Sequence, residues 1–264
     1  MTTGKALRLR RLADPATGHL VIVPMDHGVS VGPIGGLHDI AAAARHAAAG
    51  GATSIALHKG LVPHLAGGLG GVGLWVHLSA STSLNPDPND KRLVGTVEEA
   101  VAAGADVDVH ADAVGAPRES EMLEDLGRTA TACQRLGMPL LAMMYARGAG
   151  IKDPHGVEYI KHIARLGAEL GADVVKCPYT GSVETFREVV RGCPVPVVIS
   201  GGPRMDSDAA VLRMVEEAMA AGAKGVSIGR NAFQHARPEA MTRAIADVVL
   251  RGRKALEAQA HLRP

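Results

Sequence analysis

Aromatic residues are scarce: two Phe, one Trp and three Tyr make up about 2% of 264 residues. Little is available for stacking on nucleotide bases. Neither sign of charge dominates, with 28 basic side chains against 27 acidic and a formal net charge of +1. No basic run is present, so neither the charge balance nor the composition points to a nucleic-acid partner. The three cysteines, Cys133, Cys177 and Cys193, are odd in number, far apart and form no CxxC. That excludes a disulfide framework and a zinc knuckle, and a reducing cytoplasm is the expected compartment. No unbroken apolar run reaches transmembrane length, so no membrane partner is expected. The basic N-terminus, MTTGKALRLRRL, lacks the apolar stretch of a secretory signal.

What the chain does have is 47% hydrophobic residues, 32 Gly and a recurring pattern. Short β-branched runs alternate with longer amphipathic stretches. The strand candidates are HLVIVP (19–24), TSIALH (53–58), GLWVHLS (73–79), DVDVH (106–110), PLLAMMY (139–145), DVVKCP (173–178), PVVIS (196–200) and GVSIGR (225–230). Gly50, Gly104, Gly137, Gly171 and Gly222 fall where helices should end, and glycine accepts the left-handed conformation of a C′ residue. Strand, helix and glycine in eight rounds predict an α/β fold, a single (β/α)8 TIM barrel. A doubly wound sheet ranks below it, because no GxGxxG follows the first strand. No linker divides the chain, so residues 1–264 are expected to form one domain. The longest irregular piece is ASTSLNPDPNDKRLVG (80–95).

A barrel of this kind works at the C-terminal ends of its strands. Those ends carry Asp26 and His27 after the first strand, Tyr145 and Arg147 after the fifth, and Lys176 on the sixth. Parity puts Lys176 on a face with Val174, Tyr145 with Leu141 and Met143, and Asp26 with Ile22 and Pro24. Parity alone does not choose which face points inward. An amine in a low-dielectric site loses its proton more readily, and a neutral amine adds to a carbonyl to give a Schiff base. A lysine whose stem packs and whose head reaches solvent is the competing account of Lys176. Lys59, Lys91 and Lys152 compete for the same role. Carbon–carbon bond chemistry also needs an acid and a base, for which Asp26 and Tyr145 are candidates. A turn or N-cap residue would account equally for Asp26, and a core aromatic for Tyr145.

After the seventh strand comes SGGPR, and after the eighth IGRNAF. Backbone N–H groups around Gly201, Gly202 and Gly229, with Arg230 as a charged donor, match the usual phosphate location in barrels. His27, His58, His77 and His110 lie near the ends of the first four strands and could gather a metal. No HxH or HExxH accompanies them, and each fits as a satisfied barrel histidine.

The segments VPMDHGVSVGPIGGL, LSASTSLNPDPNDK, EMLEDLGR, LLAMMYARG, DVVKCPYTGS, ISGGPR and VSIGRNAFQH, in this order, resemble the archaeal-type class I aldolases, a DeoC/FbaB-like family. The resemblance runs from about residue 5 to about residue 250. It is closest to the 2-amino-3,7-dideoxy-D-threo-hept-6-ulosonate synthase branch and the related aldolase of 3-amino-4-hydroxybenzoate biosynthesis. It implies a barrel with no metal and no cofactor. It implies a Schiff base on Lys176, Asp26 as proton acceptor and Tyr145 as proton donor. It places His27 and Arg147 near the substrate, and a sugar phosphate against Ser200, Gly201, Gly202, Gly229 and Arg230. The partners implied are a sugar phosphate, aspartate semialdehyde and further copies of the chain, a homo-oligomer with the decamer of the family. The donor is dihydroxyacetone phosphate or 6-deoxy-5-ketofructose 1-phosphate, and the Ala-, Gly- and Arg-rich composition favours the first. Two positions depart from the family pattern: VHAD puts Asp112 where an amide is expected, and GGPR puts Arg204 where relatives often have Lys. The rival readings are a fructose-1,6-bisphosphate aldolase, a metal-dependent barrel lyase and a non-catalytic phosphosugar-binding barrel.

Overall fold

The structure is a computed structural model that describes residues 2–65 and 69–263, with residues 107–113 described by their backbone alone. His110 and Asp112 therefore lie outside the described side chains. The strands are β1 (Leu20–Pro24), β2 (Ser54–His58), β3 (Gly73–His77), β4 (Ser79–Ala80), β5 (Arg92–Leu93), β6 (Asp106–Val114), β7 (Leu140–Ala146), β8 (Val174–Cys177), β9 (Val197–Ser200) and β10 (Gly225–Ser227). The helices are α1 (Thr3–Leu12), α2 (His27–Val31), α3 (Ile40–Ala49), α4 (Val97–Ala102), α5 (Glu119–Leu136), α6 (Val157–Glu169), α7 (Val183–Gly192), α8 (Asp208–Ala221), α9 (Arg230–Phe233), α10 (Pro238–Arg251) and α11 (Ala255–Ala258). The parallel strands run in the order β1-β10-β9-β8-β7-β6-β3-β2, and β1 pairs with β2 to close the sheet.

Alternation along each strand builds two cores. Val21, Val23, Ile55, Leu57, Val175 and Ile199 face outward and pack beneath the helices. Leu20, Ile22, Ala56, Trp75, Leu141, Met143, Val174 and Val198 face inward and fill the barrel. The buried indole N–H of Trp75 donates to Ser54 Oγ at 3.0 Å, so this interior polar pair is satisfied. Leu12 of α1 is fully buried and joins the inner core from the N-terminal ends of the strands. The close seat of Leu12 requires Gly73, where a Cβ would lie 2.7 Å from Leu12 Cδ2. Lys5 of the same helix is buried against Asp173 at 2.7 Å. The bottom of the barrel is thereby plugged, and the chemistry is left to the top.

Three details differ from the sequence-based expectation. Gly50 is not left-handed, with φ −75°; Gly51 takes that conformation at φ 89°. Gly50 is needed for a close approach instead, since a Cβ there would lie 2.5 Å from Thr242 Cβ on α10. The fourth barrel strand continues to Val114, with a bulge between Asp112 and Val114. The long irregular stretch after the third strand is bracketed by a short antiparallel pair, Ser79 opposite Leu93 and Ala80 opposite Arg92.

Candidate active site

The strand tops open onto a cavity of about 450 Å³ lined by Lys176, Tyr145, Arg147, His27, Ser200, Gly201, Gly202, Gly229 and Arg230. Strand register explains the gathering. Lys176 lies beside Met143 of β7 and Val198 of β9, on the face that Val174 begins inside the barrel. Its side chain is 5% exposed, with Nζ 3.3 Å from Met143 Sδ, so the head does not reach solvent. Of the competing lysines, Lys59 is exposed and paired with Glu99 at 2.6 Å. Lys152 is exposed, and Lys91 is buried but does not line this cavity.

Asp26 is the one selected residue that does not line the cavity. It sits at the top of β1 and faces a neighbouring, largely apolar hollow that also includes His58 and Ile34. Its side chain makes no capping hydrogen bond to α2, which removes the N-cap explanation. Asp26 Oδ1 lies 3.4 Å from His27 Nδ1. Burial alone would raise the Asp26 pKa, but positive charge from His77, His27 and Lys176 outweighs it and holds the carboxyl well below the usual range. Burial in turn lowers the pKa of His27, against the pull of Asp26, and brings His58 down to about 4.

Tyr145 ends the inward face of β7, and the Arg147 guanidinium carbon lies 4.6 Å from its ring centroid. The pair stacks as a cation over an aromatic face, fixing both at the rim. On the opposite wall Gly229 is required by crowding, because a Cβ would lie 2.7 Å from both His27 Cε1 and the Pro24 carbonyl. Gly202 holds a left-handed φ of 63°. Arg230 Nε and Ser227 Oγ are buried without a hydrogen-bond partner in the structure. A guanidinium and a hydroxyl in that condition, beside exposed loop backbone, fit an anionic ligand.

Sequence reasoning missed three residues here. Ser227 lies opposite Ser200 in the β9–β10 register, and the alternation of GVSIGR could have revealed it. His155 lines the cavity and is anchored by Nδ1 on the Tyr179 carbonyl at 3.1 Å, a contact no local pattern announces. Asn231 is buried behind the loop after β9. Arg204, by contrast, turns out of the cavity and hydrogen-bonds the Gln234 carbonyl. Of the strand-end histidines, His27, His58 and His77 have described side chains. His27 packs edge-on against Phe233, whereas His58 and His77 pack on each other with ring centroids 5.0 Å apart. Among the described residues no three His, Cys, Asp or Glu side chains are grouped to hold a metal.

Solved structures share this architecture. An archaeal fructose 1,6-bisphosphate aldolase superposes with a TM-score of 0.84 at 30% identity, covering 93% of this chain and 98% of its own. A Schiff-base-forming fructose-1,6-bisphosphate aldolase matches equally, at 29% identity and 93% and 99% coverage. Parallel barrel-type sheet, buried interior amine and this likeness define a lysine-dependent class I aldolase. The DeoC/LacD family aldolase profile matches residues 20–235, and the chain belongs to that family. Its relatives include the 2-amino-3,7-dideoxy-D-threo-hept-6-ulosonate synthase of Halobacterium salinarum, 46% identical over 93% of this chain and 91% of the relative. The 2-amino-4,5-dihydroxy-6-oxo-7-(phosphonooxy)heptanoate synthase of Streptomyces griseus is 41% identical over 93% and 90%. Both exceed the identity to the fructose-bisphosphate aldolases, which places the synthase reading ahead of that rival.

Proposed function

We propose that this chain joins aspartate semialdehyde to a ketose fragment through a Schiff base on Lys176, giving a seven-carbon amino-keto acid. The observation that carries the reading is the Lys176 amine buried in the same cavity as the Gly201–Gly202 and Gly229–Arg230 walls. The amine adds to the donor ketone, and the carbinolamine loses water to give an iminium. With dihydroxyacetone phosphate, loss of a carbon-bound proton to a base gives the enamine. With the deoxyketohexose phosphate, a retro-aldol step breaks a carbon–carbon bond, releases an aldehyde and leaves the same kind of enamine. The enamine carbon then attacks the acceptor aldehyde, the new alkoxide takes a proton, and water hydrolyses the iminium to free the product and the amine. Asp26 is the proton acceptor and Tyr145 the proton donor. His27 and Arg147 orient the substrate. The phosphate rests against Ser200, Gly201, Gly202, Gly229 and Arg230.

The frame of the reading is a single (β/α)8 domain in a cytoplasmic homo-oligomer, a decamer by family resemblance. Among the described residues no helix is long and apolar enough to cross a membrane.

The names of the two relatives differ in a way that sets the test. One product carries a phosphate on carbon 7, and the other is deoxygenated there. Aspartate semialdehyde with dihydroxyacetone phosphate should yield a phosphorylated seven-carbon product by mass spectrometry. With the six-carbon donor the product should be the unphosphorylated dideoxy acid. A chain that cleaves fructose 1,6-bisphosphate and makes neither product would refute the synthase reading.

A further inference from the structure

Asn231 is 5% exposed and follows Arg230 in the first turn of α9. Its amide nitrogen donates to the Gly201 carbonyl at 2.8 Å and to the Pro203 carbonyl at 3.0 Å. Its amide oxygen accepts from Met205 N at 2.7 Å. One side chain therefore bonds three backbone groups of the loop after β9, from an element about thirty residues away in sequence. The neutral amide fits this task because it supplies two donors and an acceptor at once. An aspartate would supply no donor, and an aliphatic residue would leave buried carbonyls without partners.

A trans peptide unit carries its C=O and N–H on opposite sides. No described peptide bond here is cis. Fixing the Gly201 carbonyl on Asn231 turns the N–H of Gly202 the other way, and fixing the Pro203 carbonyl does the same for the N–H of Arg204. Gly201, Gly202 and Pro203 line the cavity, and Asn231 lies behind them, outside its lining. We infer that Asn231 is the positioning residue of the phosphate cradle: it holds two carbonyl oxygens away from the anion and presents the N–H group of Gly202 to it. The inference rests on the phosphate reading of the Gly201–Gly202 loop proposed above. Asn231 touches no substrate in this account and acts through the loop.

The probe is inorganic phosphate, with the full chain and with Asn231→Ala and Asn231→Ser variants, each checked for native circular dichroism. Phosphate should inhibit the native enzyme competitively with the donor. In folded variants its inhibition constant should rise at least about tenfold and donor KM should rise in step. The kcat should fall no more than about threefold, because the reacting carbons and Lys176 are untouched. An unchanged phosphate inhibition constant in a folded variant, or a loss confined to kcat, would overturn the role of Asn231. Failure of phosphate to bind the native enzyme at all would overturn the cradle itself, which separates the two failures. A second measurement needs no variant. Residue-resolved amide exchange of the native chain, with and without phosphate, should show protection at Gly202. Phosphate binding without protection at that amide would also overturn the inference.

Discussion

Arg230 lines the cavity with a buried Nε that has no hydrogen-bond partner. A charge-assisted contact to phosphate stabilises by roughly 1.5–3 kcal/mol, so Arg230→Ala should raise donor KM by about 10- to 150-fold. KM for the aldehyde acceptor should barely move, and equal effects on both substrates would contradict the cradle. Tyr145 gives a second test at this scale. Incubated with dihydroxyacetone phosphate alone in deuterated water, the native enzyme should exchange a carbon-bound hydrogen next to the iminium. Tyr145→Phe should slow that exchange while leaving Schiff-base formation intact. A rate of exchange unaffected by the substitution would remove Tyr145 from proton transfer. Most of these residues were legible because strand parity and strand order point to the same end of the barrel. Asn231 and His155 were not, since their partners lie on other elements and neither side chain belongs to a local pattern.

Among the elements, α1 has the clearest structural duty. Its last residue, Leu12, closes the inner core, so Leu12→Ala should cost about 2–5 kcal/mol in chemical unfolding. A loss below about 1 kcal/mol would mean that the plug is ornamental. Beside it, the first residue of β6 makes a pH prediction. Burial raises the Asp106 pKa from 3.8 to about 6, against the opposing charges of Arg8 and Arg11. Arg8 stands 3.7 Å away, too far for a hydrogen bond, so the ion pair does not offset desolvation. The folded state thus holds this proton to higher pH than the unfolded chain. Its contribution is fully present below the unfolded value of 3.8 and is lost as pH rises to about 6, on the order of 3 kcal/mol. Asp106→Asn should gain stability over the native chain across that interval. A difference independent of pH would show that Asp106 titrates normally. The positions of these strands were readable from β-branched runs. The β4–β5 pair was not, because two-residue strands leave no periodicity to find.

At the scale of the whole molecule, the alternation of strands and helices announced the barrel, and closure of the sheet then settled what parity had left open. Once Leu141, Met143 and Val174 are inside, Tyr145 and Lys176 are inside with them. Asp26 did not follow: it lines the neighbouring apolar hollow and not the main cavity, although the charge of Lys176 still acts on it. If the amine carries the chemistry, turnover should survive exhaustive chelation by EDTA. Activity lost to the chelator and restored by zinc would favour the metal-dependent lyase instead. The most direct measurement is reductive trapping. Borohydride added to the enzyme with dihydroxyacetone phosphate or the six-carbon donor should fix a covalent adduct, and peptide mapping should place it on Lys176. Lys176→Ala should fold, bind phosphate and trap nothing. An adduct on Lys59, Lys91 or Lys152, or no adduct with either donor, would contradict the account.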